Sequence, residues 1–99
     1  MDQRNELDAK LAAVNDPASL LEFVRALIAD RESSVAQERQ SPSSPYGAAA
    51  RGWENISIEA YLDAATAWAE ATDFGAARLS GHGPWRRFAE FLYAGKVYE

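Results

Sequence analysis

One histidine, His82, and no cysteine stand in the 99-residue sequence, and this removes most nucleophile–base chemistry before any fold is considered. A Ser–His–Asp or Cys–His set needs a base aimed at a nucleophile and a third group to orient that base. Here it would rest on Ser80-Gly81-His82, a loop tripeptide. Without thiols there is no disulfide and no thiolate metal site, and no glycine-rich phosphate loop occurs. Glu59, Asp63 and Glu70 come nearest to a carboxylate ligand set, but they fall off the apolar stripe of their helix, where acids form a solvated face. No catalytic residue, metal site or cofactor is expected, and the chain does not read as an enzyme.

Two spots carry side chains that local structure alone does not explain. In Pro84-Trp85-Arg86-Arg87, two cations stand in the first turn of a helix. The positive end of the helix dipole makes each cost ~0.3–1 kcal/mol there, so Arg86 and Arg87 require a negative partner. That partner is either internal (Glu54 or the acidic helix before them) or external, a small anion held by the guanidiniums and the amides of the turn. In Trp53-Glu54-Asn55, a Trp just ahead of a helix start caps a core, and the Asn bonds loop backbone. The alternative is a recognition patch, because Trp and Tyr dominate binding hot spots.

Four helices position these residues. Leu7, Leu11 and Val14 recur at helical spacing and predict a first helix over 3–14. Asn15-Asp16-Pro17 starts the second, with Asp16 free to cap and Pro17 at the first helical position. Leu20, Val24, Leu27 and Ile28, widened by Leu21 and Phe23, carry it to Asp30, and a polar extension with Val35 takes it to about residue 36. Gln40–Arg51, with two Pro, three Ser and a Gly, reads as a flexible linker. Ser57 caps the third helix, 57–72, with Ile56 placed to staple onto Tyr61. Its stripe is Ile58, Tyr61, Leu62, Ala65, Trp68, Ala69 and Thr72. Asp73–Gly83 is a loop, with Phe74 and Leu79 to tuck beneath it. Gly83-Pro84 opens the fourth helix, 84–98, whose stripe is Trp85, Phe88, Ala89, Leu92 and Gly95. A glycine inside a helix costs ~0.5–1 kcal/mol relative to Ala, which a close helix crossing at Gly95 would explain. No strand-like alternation and no internal repeat is present.

Composition sets the scale. A chain of this length buries somewhat over ~60% of its unfolded surface, so it forms one modest core. Leu, Ile, Val and Phe number only 19, and three Trp, four Tyr and twenty Ala make up the difference. Trp68 and Trp85 are expected in the interior. Net charge is −5, opposite to what phosphate or anionic lipid attracts, so neither nucleic acid nor membrane is an expected partner. From Trp53 to Asp73 five acids occur and no base, which suits a basic partner as well as it suits solubility. The polar Met1–Glu6 lacks the apolar run of a signal peptide, and a cytoplasmic protein is expected.

Gly52-Trp53-Glu54-Asn55, the helix ending in Ala67-Trp68-Ala69-Glu70, and Pro84–Glu99 with Trp85, Phe88-Ala89 and the closing Lys96-Val97-Tyr98-Glu99 together resemble a small bacterial domain family of unknown function. Asp16–Asp30 is similar to the helix that precedes Trp-x-Asn in that family. The long Arg31–Arg51 insertion and Gly95 depart from its pattern. The resemblance implies a bacterial origin and an all-helical fold, and no activity. The reading is an all-α single domain, 1–99, acting as a protein-interaction module, antidote-like or adaptor-like, for a basic protein partner. Its candidate binding residues are Trp53, Glu54, Asn55, Glu59, Asp63, Glu70, Arg86 and Arg87. The alternative is a small-anion-binding regulatory domain built on the start of the last helix. Nothing in the sequence sets an oligomeric state.

Overall fold

A computed structural model describes residues 3–45 and 47–98; Tyr46 of the linker and Glu99 of the closing motif lie outside the described residues. Four α-helices form the fold, and no strand runs among the described residues: α1 (Gln3–Ala12), α2 (Pro17–Gln40), α3 (Ile58–Thr72) and α4 (Pro84–Val97). A 3₁₀ turn, Ala50–Gly52, lies between α2 and α3. The architecture is the all-α domain that the spacing predicts.

α1 leaves α geometry at Ala12 and finishes in a turn, with the Val14 amide donating to Leu11 at 3.2 Å. All three of its anchors are buried: Leu7, Leu11 and Val14 are 2%, 8% and 3% exposed. α2 starts as its sequence dictates. The Ser19 amide donates to Asp16 Oδ1 at 2.8 Å, and the Asp16 amide donates back to Ser19 Oγ at 3.1 Å.

α2 then runs unbroken to Gln40, past the expected end near residue 36. Leu20, Phe23, Leu27, Asp30 and Ser34 are its buried residues, and their spacing is one continuous stripe. The last two members are polar, so a count of apolar residues alone ends the buried stripe at Leu27. Ser34 Oγ donates to the carbonyl of Ala50 at 2.7 Å, which docks the chain after the linker back onto α2. The expected linker therefore does not extend as loose chain to Arg51. Residues 41–45 are exposed, whereas the Ala49 amide already pairs with the Trp53 carbonyl at 2.8 Å.

α3 is capped by Ser57, whose Oγ accepts from the Ala60 amide at 3.0 Å. It ends where Asp73 adopts left-handed geometry, with φ 52° and ψ 53°. α3 and α4 pack closely, and Gly95 sits at their crossing: a Cβ there would lie 2.7 Å from the Tyr61 ring. That ring is held, because Tyr61 Oη donates to the Leu92 carbonyl at 2.6 Å. Burial also pushes the Tyr61 phenol up to about 12. Gly95→Ala should therefore lower stability by ~1–2 kcal/mol, since overpacking outweighs the better helix propensity of alanine. Thermal unfolding checks this; a raised melting temperature would mean that the crossing has room for the methyl.

The core has a larger part, Leu7, Leu11, Val14, Leu20, Phe23, Leu27, Trp53 and Ala89, and a smaller part, Trp68, Ala69, Leu79 and Ala94. Leu79 tucks under the α3–α4 loop as expected, at 2% exposure, whereas Phe74, expected there with it, stays 41% exposed. Several apolar residues do not go inside. Trp85 and Phe88 are 39% and 44% exposed, so the buried face of α4 is rotated onto Ala89, Glu90, Ala94, Gly95 and Lys96. Leu21, Ile28, Ile58 and Leu62 are likewise half exposed or more.

Candidate functional site

Two of the residues on which the resemblance rests, Trp53 and Lys96, turn inward and meet at Asp30. Its carboxylate is 2% exposed and accepts from Trp53 Nε1 at 2.9 Å, Lys96 Nζ at 2.7 Å and Arg51 Nε at 2.8 Å. These donors come from α4 and from the turn before α3, so Asp30 ties both of these parts of the chain to α2. Burial pushes its carboxyl up, but the hydrogen bonds from Lys96 and Arg51, the Lys96 charge and the Trp53 N–H together outweigh it and hold the carboxyl below its usual range. Lys96 Nζ and Arg31 Cζ also stand 5.5 and 5.4 Å from the centre of the Trp53 ring. Arg51 reaches this point with φ 64°, and the following Gly52 has φ 80°.

Asn55 completes the arrangement. Its side-chain amide donates to the carbonyls of Gly95 at 3.0 Å and Tyr98 at 2.9 Å, closing the C-terminal end of α4. The Glu54 amide donates to the Lys96 carbonyl at 3.0 Å. Trp53 at 5% exposure is thus a core residue, Asn55 bonds the backbone at the end of α4 and not the loop backbone expected for it, and Glu54 is exposed.

Arg86 and Arg87 find partners within the chain, though not the ones anticipated. Arg86 donates to Glu90, one turn on, at 3.1 Å, and to the Ala12 carbonyl at 3.3 Å. Glu90 also accepts from Arg78 at 2.7 Å. Arg87 donates to the carbonyls of Phe74 at 2.9 Å and Asp73 at 3.0 Å, just past the end of α3. A cation that is unfavourable at the start of α4 is favourable at the negative end of α3, and Arg87 occupies both places. Neither arginine pairs with Glu54 or with a side chain of α3. Glu59, Asp63 and Glu70 are exposed along one side of that helix.

What the structure opens to solvent is an apolar groove between α2 and the start of α3, about 480 Å³ in volume. Leu27, Ile28, Trp53, Ile56, Ile58, Tyr61 and Leu62 line it, with Arg31 and Glu32 at one wall. Ile28 is 53% exposed, Ile56 62%, Ile58 75% and Leu62 52%. Ile56 therefore stands on the rim instead of stapling beneath Tyr61. Leu21, one heptad before Ile28, extends the apolar face along α2 at 51% exposure.

Sequence reasoning found Trp53 and Asn55 but missed Asp30, Arg51 and Lys96. The signal for Asp30 was its place three residues after Leu27 on the apolar stripe. The groove was missed because its residues were assigned to the core. The Asp30 hub and the groove together define the class: a small all-α domain with Trp53 and Lys96 of its motif turned inward onto Asp30 and an apolar groove on its surface. The family model of DUF7660, a family of unknown function, matches residues 17–99, and the chain belongs to that family. α1 lies outside the matched span. No curated protein and no solved structure matches the chain. No helix among the described residues is long and apolar enough to cross a membrane.

Proposed function

We propose that this domain is a non-enzymatic interaction module, antidote-like or adaptor-like, that seats an amphipathic helix of a basic protein partner in the α2–α3 groove. The observation that carries this reading is the cluster of Ile28, Ile56, Ile58 and Leu62, four large aliphatic side chains all more than half exposed around one groove. Single exposed apolar residues are ordinary, whereas a contiguous patch marks a contact surface. A helix that presents apolar side chains at i, i+3/i+4 and i+7 fills such a groove.

Charge selects the kind of helix. Glu32 stands on the groove wall, and Glu59 and Asp63 follow Ile58 and Leu62 by one residue, roughly 100° round α3. An apolar strip flanked by acids is complementary to an apolar strip flanked by Lys and Arg, which also steers encounter. The setting that fits is the bacterial cytoplasm. The anion-site alternative has less support, because Arg86 and Arg87 already hold Glu90 and the carbonyls after α3.

Calorimetric titration tests the reading with a synthetic Leu/Lys amphipathic helix of about four turns. The Leu/Lys peptide should bind, its Leu/Glu counterpart should not, and added salt should weaken binding. Ile58→Asp should abolish it while leaving the fold intact, because Ile58 is 75% exposed. Equal binding of both peptides, or indifference to Ile58→Asp, would overturn the reading.

A further inference from the structure

We infer that the same partner helix is read at a second point, where Phe74, Phe91, Glu70 and Asp73 take an arginine side chain. This rests on the groove reading and extends it along α3. Ile58, Leu62, Thr66 and Glu70 succeed one another every four residues and are all exposed, so they form one ridge on α3. The ridge begins in the apolar groove and ends at a second cavity of about 480 Å³, lined by Thr66, Ala69, Glu70, Asp73, Phe74 and Phe91. A helix packed against α3 along this ridge meets both.

The chemistry of the second cavity differs from that of the first. Phe74 is 41% exposed, and its ring stacks on Phe91 at 5.2 Å between centres and 16° between planes. Phe88 continues the stack beyond Phe91 at 6.0 Å. Two carboxylates, Glu70 and Asp73, share the cavity with these rings. The nearby cation is Arg87, whose guanidinium is bonded to the carbonyls of Asp73 and Phe74, so the carboxylates still leave a negative balance. A flat aromatic face beside carboxylates fits a guanidinium, which stacks on the ring and bonds a carboxylate in its own plane. An ammonium does only part of this.

Spacing makes the inference specific. Leu62 and Glu70 are eight residues apart on α3, or about 12 Å along the axis. A partner helix lying along the ridge must therefore carry its arginine about two turns from its apolar anchor. The test titrates the intact protein with Leu/Lys helices that carry a single Arg at that spacing, at the same spacing shifted by two residues, or replaced by Lys. The correctly spaced Arg peptide should bind about tenfold more tightly than the other two. Glu70→Lys and Phe74→Ala should each erase that preference without abolishing binding; Glu70 is exposed, so its variant also serves if Phe74→Ala fails to fold. If all three peptides bind alike and still depend on Ile58, the arginine site is overturned and the groove reading stands. If no peptide binds, both are overturned. Concentration-dependent self-association that Ile58→Asp abolishes would assign the ridge to a second copy of the chain and also overturn the inference.

Discussion

Asp30→Ala should unfold the domain or bring it to the edge of unfolding, with a loss of about 3–5 kcal/mol. Lys96 and Arg51 have side chains only 4% and 13% exposed, and both are held to this carboxylate. Removing it leaves two buried cations without their counter-charge, and a domain of this size has only ~5–15 kcal/mol in total. Urea unfolding measures the loss. If the mechanism is an orphaned cation and not a simple cavity, adding Lys96→Met to Asp30→Ala should restore part of the stability. A loss that deepens in the double variant would contradict it. Acid provides the same test on the native protein. Because the folded carboxyl lies below its ordinary value, its contribution is complete above about pH 4 and disappears as pH falls through the folded value. Asp30→Asn should flatten that part of the acid unfolding curve.

Trp68→Ala and Trp85→Ala should differ sharply. Trp68 is 9% exposed and packs with Ala69, Leu79 and Ala94, so its loss should cost ~3–5 kcal/mol. Trp85 is 39% exposed, and its truncation should cost under ~1 kcal/mol. Composition and spacing place both rings inside, and only the helix rotation separates them. Equal losses in thermal or urea unfolding would mean that α4 buries the Trp85–Phe88 side after all.

The helices were legible because their starts are local chemistry. Asp16 with Pro17, Ser57, and Gly83 with Pro84 act within a few residues, and each cap sits where the spacing places it. Gly95 was legible for a related reason, since a glycine inside a helix implies a close neighbour. Which face of each helix goes inside was less legible. A domain short of aliphatic residues offers wide apolar faces, and the choice among them depends on the other helices. On α2, Phe23 and Leu27 go in while Leu21 and Ile28 stay out, because the buried stripe continues through Asp30 and Ser34. On α4 it continues through Glu90 and Lys96. Polar residues that complete a buried stripe are not apparent in an apolar pattern, since their partners lie far along the chain: Lys96 is 66 residues from Asp30. Arg86 and Arg87 show the converse. Their need for negative partners was evident locally, but the carbonyls past α3 that hold Arg87 appear only once α3 and α4 are packed.

Amide chemical-shift mapping of the intact protein with the Leu/Lys helix tests the interaction reading most directly. Saturable shifts should concentrate at Ile28, Glu32 and Ile56–Leu62 and continue along the Thr66–Glu70 ridge, with Arg86 and Arg87 unmoved and inorganic phosphate without effect. Shifts centred on Arg86 and Arg87, produced by phosphate and absent with the helix, would contradict it.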